Sequence, residues 1–135
     1  MELNLSTNSV FDDVAEFHQK ILGQPSSESP SLVTPAVMFG RFKFLQEEID
    51  EFITAAFEGD IVGATDGLLD LIYVAAGTLY IMGIPAQACW DVVQSANMRK
   101  VRGTTKRKQE FDAVKPEGWL PPEPLIAKII GDAIK

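Results

Sequence analysis

Acidic side chains stand out in two neighbouring segments of the chain. Glu48 and Glu51 lie three residues apart, and Asp66 and Asp70 are the sole charged side chains between positions 61 and 90. Charge in an otherwise apolar segment usually has a partner. Carboxylates unaccompanied by histidine or thiolate ligands favour hard cations, so these residues predict a site for Mg²⁺ or Mn²⁺.

The spacing of these acids suits two packed helices. Residues three or four apart share one side of a helix, so Glu48 pairs with Glu51 and Asp66 with Asp70. If the two helices pack antiparallel, the four carboxylates meet and repel one another unless a cation lies between them. The alternative interpretation is that the acidic run beginning at Glu47 is a solvated helix face.

A basic segment follows these acids in the sequence. Six of the twelve Lys and Arg residues fall within ten positions: Arg99, Lys100, Arg102, Lys106, Arg107 and Lys108. Such a cluster could bind phosphate groups that a metal does not reach, and the side-chain amide of Asn97 could add a contact. A solvated helix end, where cations favour the carboxyl-terminal dipole, explains the cluster equally well.

His18 is the single histidine, which excludes zinc sites built from several histidines. It is either a packed imidazole with satisfied hydrogen bonds or a contact for a base or phosphate. Trp119 lies beside two prolines, where it either stacks on a base or anchors the end of the chain on the domain.

Composition narrows the possible partners. The net charge of −7 argues against binding of nucleic acid polymers or anionic membranes. Cys89 is the single cysteine and the amino terminus lacks the pattern of a signal peptide, so we expect a cytoplasmic protein. The segment 61–85 is long enough to span a bilayer. It contains two aspartates and four glycines, however, so we expect a buried bundle helix and no membrane.

Helix periodicity and capping residues predict an all-α fold, a single domain over residues 1–135 with four main helices and a short carboxyl-terminal helix. The expected helices are Ser9 to Leu22, Thr34 to about Gly59, Asp60 to Gly83, Pro85 to Gly103, and about Glu123 to Ala133. No segment alternates as a strand would. In the second helix the predicted inward row is Met38, Phe42, Leu45, Ile49, Phe52 and Ala56, and a second row is Phe44, Glu48, Glu51 and Ala55.

The Glu-Glu-x-x-Glu spacing, followed by an acid pair on the next helix, resembles the all-α nucleoside triphosphate pyrophosphohydrolase superfamily. That superfamily includes MazG proteins, dimeric dUTPases and phosphoribosyl-ATP pyrophosphohydrolase. From Phe11 to Pro122 the chain is similar to short MazG-like proteins of bacteriophages. The matching segments are Phe11-Asp12-Asp13-Val14 with Phe17-His18, Phe44 to Glu48, Gly59-Asp60, Asp66 to Tyr73, Ala96-Asn97-Met98 with Lys100, and Lys115 to Trp119 before Pro121-Pro122.

The resemblance implies a MazG-like or dimeric dUTPase-like bundle. The implied reaction is hydrolysis of a nucleoside triphosphate to the monophosphate and pyrophosphate with Mg²⁺ or Mn²⁺. The resemblance assigns metal ligation to Glu48, Glu51 and Asp70 and phosphate contacts to Asn97, Lys100 and Arg102. Glu47 and Glu48 are the implied catalytic residues, and Glu47 is a further acid that either binds metal or orients the attacking water. It also implies a homodimer or homotetramer, in the host cytoplasm if the chain is encoded by a phage. Gly67 departs from the pattern, because it occupies a glutamate position, and Asp66 is the candidate replacement ligand.

Two alternative functions remain open. A helical oligomerisation module that binds nucleotide without turnover is consistent with the missing glutamate. Phosphoribosyl-ATP hydrolysis uses the same acids on another substrate. For the main reading we expect a preference for purine, in particular guanine, deoxynucleotides, because Phe11, Phe17 and His18 offer a broad apolar pocket wall.

Overall fold

The structure is a computed structural model that describes residues 8–135. The helices are α1 (Val10–Phe17), extended by a π-helical turn (His18–Leu22), α2 (Pro35–Phe57), α3 (Ile61–Ile81), α4 (Ala86–Met98) and α5 (Glu123–Ala133). Two short strands, β1 (Val101–Arg102) and β2 (Ala113–Val114), pair antiparallel. The fold is therefore mostly helical and ends in a short helix, which confirms the predicted all-α class.

The described chain forms two compact units. The first reaches Ala86 and includes Lys135, and the second is Gln87–Ile134. The first unit contains α1, α2 and α3, in which α2 packs along α3 and α1 packs against α3. The second unit contains α4, the strand pair and α5. A single domain over the whole chain stays a prediction.

Side chains cap the three helices of the first unit where the sequence predicts. The Ser9 hydroxyl accepts from the Asp12 amide, the Thr34 hydroxyl from the amide three residues on, and the Asp60 carboxylate from the Gly63 amide. Glycines in the left-handed conformation follow the ends of these helices: Gly23, Gly59 and Gly83. Capping residues and glycines therefore set these boundaries.

The fourth helix is shorter than predicted. It ends at Met98, and the amides of Arg99 and Lys100 bond to carbonyls three residues back before the chain enters β1. The expectation of a helix reaching Gly103 was therefore wrong, and the chain contains a strand pair that the sequence analysis did not predict. Each strand has only two residues, which is too short to produce an alternating pattern in the sequence.

The inward face of α2 is rotated from the predicted one. Phe42 is 56% exposed and Ile49 is also exposed, whereas Glu48 and Ala55 are buried. The buried row passes through half-buried Arg41, seven residues before Glu48. The prediction that Phe42, Ile49 and Ala56 pack inward was wrong for the single chain, because α2 contacts α3 through another row, which includes Arg41, Phe52 and Ala55.

Helix α3 is far more exposed than its apolar sequence suggests. Ile61 is 79% exposed, Leu69 59% and Ile72 52%. The buried positions of α3 are Gly67, Val74, Ala76, Gly77 and Ile81. The expectation of a buried bundle helix was therefore wrong for much of α3 in the single chain, because α3 uses mainly its small residues to contact α2 and α1.

Length and composition alone would allow one helix among residues 8–135, α3, to cross a membrane. Core helices of soluble proteins pass the same test, so the finding is weak evidence for a membrane span.

Candidate metal centre

Three carboxylates meet where α2 packs against α3. One oxygen each from Glu48, Glu51 and Asp70 lies within 4.8 Å of the other two. The contacts of α2 with α3 run in opposite directions along the two helices, since Phe52 lies against Gly67 and Arg41 against Val74. Antiparallel packing thus brings the predicted pair on α2 to one predicted acid on α3.

Glu48 is the buried member of this cluster, with 7% of its surface exposed. Its Oε2 atom has no hydrogen-bond partner among the described residues. Burial, followed by the charges of Glu51 and Asp70, raises the pKa of Glu48 above its ordinary value. A charged Glu48 is therefore costly in this position unless a cation compensates it.

The cluster fits a divalent cation. Ligand oxygens lie about 2.0–2.1 Å from Mg²⁺, so two oxygens on one ion are at most about 4.2 Å apart. The three oxygens of the cluster are already within 4.8 Å. The unpartnered Oε2 of Glu48 and the purely carboxylate donor set agree with a hard cation such as Mg²⁺ or Mn²⁺.

Two other predicted acids lie outside this group of three. Asp66 is exposed and lines a neighbouring open pocket of about 420 Å³ together with Asp50, Glu51 and Glu58. Glu47 is exposed beside Glu48. The roles of Asp66 as a ligand and of Glu47 as a catalytic acid stay predictions.

His18 lies in the interior of the first unit and is 3% exposed. Its Nδ1 atom is 2.9 Å from Oε1 of Gln24, and its ring lies 5.1 Å from that of Tyr80. This environment is that of a packed imidazole with a hydrogen-bond partner, one of the two readings of the sequence. Contact of His18 with substrate stays a prediction.

Arg41 is a residue of this region that the sequence analysis missed. Its Nε donates to Oγ1 of Thr78 and its Nη2 to the carbonyl of Val74, each at 3.0 Å. Burial lowers its pKa, and no carboxylate pairs with it in the described part of the chain. Val74 lies one turn after Asp70, so Arg41 joins α2 to α3 close to the acids. The sequence pattern that could have identified Arg41 is its position seven residues before Glu48, which places both side chains on one face of α2.

In the second unit, Trp119 anchors the segment before α5. Its indole nitrogen donates to the carbonyl of Ala96 at 2.8 Å, and the ammonium groups of Lys100 and Lys115 lie 5.4 and 5.0 Å from its ring. Of the two readings of Trp119, this geometry matches an anchor. The indole also holds two cations near each other.

Three predicted phosphate contacts, apart from His18, lie in the second unit. Asn97 is exposed in the last turn of α4, Lys100 follows α4, and Arg102 lies in β1 with its guanidinium over the ring of Phe111. A basic pocket of about 510 Å³ includes Lys100 in its lining. Contact of these three side chains with phosphate stays a prediction.

Asp112 fixes the connection between β1 and β2. It accepts hydrogen bonds from the side chains of Arg107 and Thr105 and from the amide of Ala113. These bonds, that of Arg107 first, lower the pKa of Asp112 to about 2. Asp112 therefore stays ionised at neutral pH and neutralises one of the cations of the basic segment.

Comparison with known families identifies a family model that matches the helical part of the chain. The model of the phosphoribosyl-ATP pyrophosphohydrolase family matches residues 14–97, well over half of the chain. That match includes α2, α3 and the three clustered carboxylates. A search for similar curated proteins found no match. The chain therefore belongs to the phosphoribosyl-ATP pyrophosphohydrolase family of nucleotide pyrophosphohydrolases, which hydrolyse phosphoric anhydrides.

Proposed function

We propose that the protein is a metal-dependent nucleoside triphosphate pyrophosphohydrolase that converts a (d)NTP and water to the (d)NMP and pyrophosphate. The observation that carries this proposal is the cluster of Glu48, Glu51 and Asp70, in which the buried Glu48 oxygen has no hydrogen-bond partner within residues 8–135. These three side chains would hold Mg²⁺ or Mn²⁺. Membership of a pyrophosphohydrolase family supports the reaction class.

A bound cation would neutralise phosphate charge and lower the pKa of water. The protein's own groups then have separate tasks. Glu47, exposed beside Glu48, orients the attacking water and accepts its proton. The water oxygen bonds to the α-phosphorus. The bond between this phosphorus and the oxygen that bridges it to the β-phosphate breaks, and pyrophosphate leaves with that oxygen. Asn97, Lys100 and Arg102 bind phosphate oxygens, and no covalent enzyme intermediate is needed.

The test offers each (d)NTP, and phosphoribosyl-ATP, to the protein with Mg²⁺ or Mn²⁺ and separates the products. The expected products are nucleoside monophosphate and pyrophosphate in equal amounts. Release of orthophosphate contradicts the proposed reaction. Binding of nucleotide and metal without any turnover would identify the alternative, a non-catalytic helical oligomerisation module.

Phosphoribosyl-ATP is the second candidate substrate, because the matching family model carries its name. Both candidate reactions cleave a bond between phosphates and need the same carboxylates. Turnover of phosphoribosyl-ATP with a much higher kcat/KM than that of every nucleoside triphosphate would favour this second function.

We further propose a preference for purine, in particular guanine, deoxynucleotides. Phe17 and Tyr73 support it, since their rings meet edge to face at 5.5 Å and both remain partly exposed. Such a surface is broad enough to pack against a two-ring base. Comparison of kcat/KM for all eight common (d)NTPs checks this preference, and equal values would contradict it.

For assembly, we propose a homodimer or homotetramer in which a second copy covers the exposed apolar side chains of α2 and α3. Exposed patches of this kind usually mark an interface. We also propose that the protein is of the short bacteriophage type and acts in the cytoplasm on small nucleotides, without nucleic acid polymers or membranes as partners. The net charge of −7 supports the last point.

A further inference from the structure

Gly67 is the point of closest approach between α3 and the backbone of α2. A Cβ atom added at Gly67 would lie 3.0 Å from both the Cα and the N atom of Phe52, and 3.2 Å from its Cβ. The neighbouring atoms belong to the backbone of a long helix, so they cannot move away as a flexible side chain would. Any side chain at position 67 therefore pushes the two helices apart by a few tenths of an ångström.

This contact lies next to the acids on both helices. Phe52 directly follows Glu51, and Gly67 lies one turn before Asp70. The distance between the helices at this point therefore sets how far the Asp70 carboxylate is from those of Glu48 and Glu51. The three oxygens lie within 4.8 Å of one another, close to the span of about 4.2 Å that one Mg²⁺ allows. A further separation of the helices moves the cluster away from that geometry.

We infer that Gly67 is a positioning residue for the metal site: by lacking a side chain it brings Asp70 close enough to Glu48 and Glu51 for the three to bind one divalent cation. This inference rests on the proposed metal dependence. The glutamate that the wider superfamily pattern has at position 67 is thus not simply missing from this chain. Instead of a fourth carboxylate, this position provides a close approach of the two helices, and the site is formed by three carboxylates.

Substitution of Gly67 by glutamate places two effects on cation binding in opposition. Gly67→Glu adds an acid next to the cluster, which would raise cation affinity if the number of carboxylates decided binding. Its Cβ must also meet the backbone of Phe52, which separates Asp70 from the acids of α2. We expect the separation to dominate, so that Gly67→Glu binds Mg²⁺ more weakly than the unmodified protein.

The experiment measures binding of Mg²⁺ and Ca²⁺ alone, by calorimetry and by competition with Mn²⁺ followed by electron paramagnetic resonance. Mg²⁺ demands near-ideal octahedral geometry, whereas Ca²⁺ accepts longer and more variable distances. We expect Gly67→Ala to weaken Mg²⁺ binding about 10-fold or more, as disturbed support of a metal site does. Ca²⁺ binding should fall less, so that the ratio of the two affinities changes.

Gly77→Ala is the matched control. Gly77 lies on the same helix, about 15 Å further along it. An added Cβ there would lie 2.5 Å from Nε2 of His18 and 2.9 Å from Nη2 of Arg41, which are side-chain and not backbone atoms of the neighbouring helices. This variant should lose stability, measured by urea denaturation, yet keep the ratio of Mg²⁺ to Ca²⁺ affinity. A general loosening of the helix pair would change both variants alike and overturns the inference.

The binding measurements distinguish a failure of the proposed metal dependence from a failure of the role of Gly67. If the unmodified protein binds no divalent cation, the proposed metal dependence fails. If it binds cations and Gly67→Ala binds them with unchanged affinity and ratio, the positioning role of Gly67 fails alone. Tighter Mg²⁺ binding by Gly67→Glu likewise overturns the inference. Circular dichroism confirms that each variant remains helical.

Discussion

The charge of Glu48 couples the stability of the metal-free protein to pH. Its pKa in the folded protein lies above the ordinary value of 4.5, first because of burial and then because of Glu51 and Asp70. The folded state therefore holds this proton more tightly than the unfolded state. The resulting stability is fully present below pH 4.5 and is lost as the pH rises through the raised pKa.

From this coupling we predict that Glu48→Gln makes the metal-free protein more stable at neutral pH, because the amide removes a buried charge that lacks a partner. The check is urea denaturation in the presence of a chelator. The advantage of the variant should be small near pH 4.5 and should grow towards pH 8. Added Mg²⁺ should stabilise the unmodified protein more than the variant. Glu28→Gln, at an exposed position of the same unit, should show no such pH dependence.

Glu48→Gln should lower turnover, although it makes the metal-free protein more stable. Glu48→Gln and Asp70→Asn each remove a charged ligand from the proposed cation, and we expect kcat to fall about 10²-fold or more while helicity stays intact. Steady-state kinetics and circular dichroism check this. Asp50→Asn is the control, since Asp50 is exposed outside the cluster of three. A fully active Glu48→Gln protein would place the metal site elsewhere.

At the scale of elements, the pair formed by α2 and α3 depends on Arg41 as well as on apolar contacts. Arg41→Ala removes two hydrogen bonds to α3 and leaves the carbonyl of Val74 without this donor. We expect a loss of about 1–3 kcal/mol in the free energy of unfolding, typical of hydrogen bonds from a charged donor. Urea denaturation measures it. Lys43→Ala, on the exposed side of the same helix, should change stability by less than about 0.5 kcal/mol.

The boundaries of α1, α2 and α3 could be predicted from the sequence because they depend on local chemistry. A Ser, Thr or Asp side chain that binds an amide three residues on acts within one turn, as Ser9 does with Asp12. The inward face of α2 could not be predicted in this way. Apolar periodicity favoured the row containing Phe42, whereas the contacts that turn Arg41 and Glu48 inward come from α3 and are invisible in α2 alone.

For the acids too, the sequence predicts the spacing within a helix but not the packing between helices. Fixed helical spacing puts Glu48 and Glu51 on one face, and an antiparallel neighbour supplies Asp70. Periodicity gave no means of separating Asp66 from Asp70, because both lie on the same side of α3. The separation depends on how α3 packs against α2, which brings an oxygen of Asp70 to those of Glu48 and Glu51 and leaves Asp66 exposed, and no local pattern contains that packing.

At the scale of the whole molecule, the apolar side chains that the single chain leaves exposed predict self-association. Leu69 and Ile72 lie one turn apart on α3 and are more than half exposed. Burying the part of each side chain that is still exposed would contribute about 1–1.5 kcal/mol, roughly half of the value for full burial. Light scattering should therefore give a mass that is two or four times 14.8 kDa.

Charge placed in this surface should disrupt the assembly. We predict that Leu69→Lys combined with Ile72→Lys shifts the protein to the mass of one chain at micromolar concentration, because a buried unpaired ammonium group is strongly unfavourable in an interface. Leu32→Lys is the control, since Leu32 is a comparably exposed leucine that precedes α2 and lies outside the proposed interface. A mass of 14.8 kDa for the unmodified protein would contradict the proposed assembly. Such a result would leave the metal cluster unaffected, because all three of its carboxylates come from one chain.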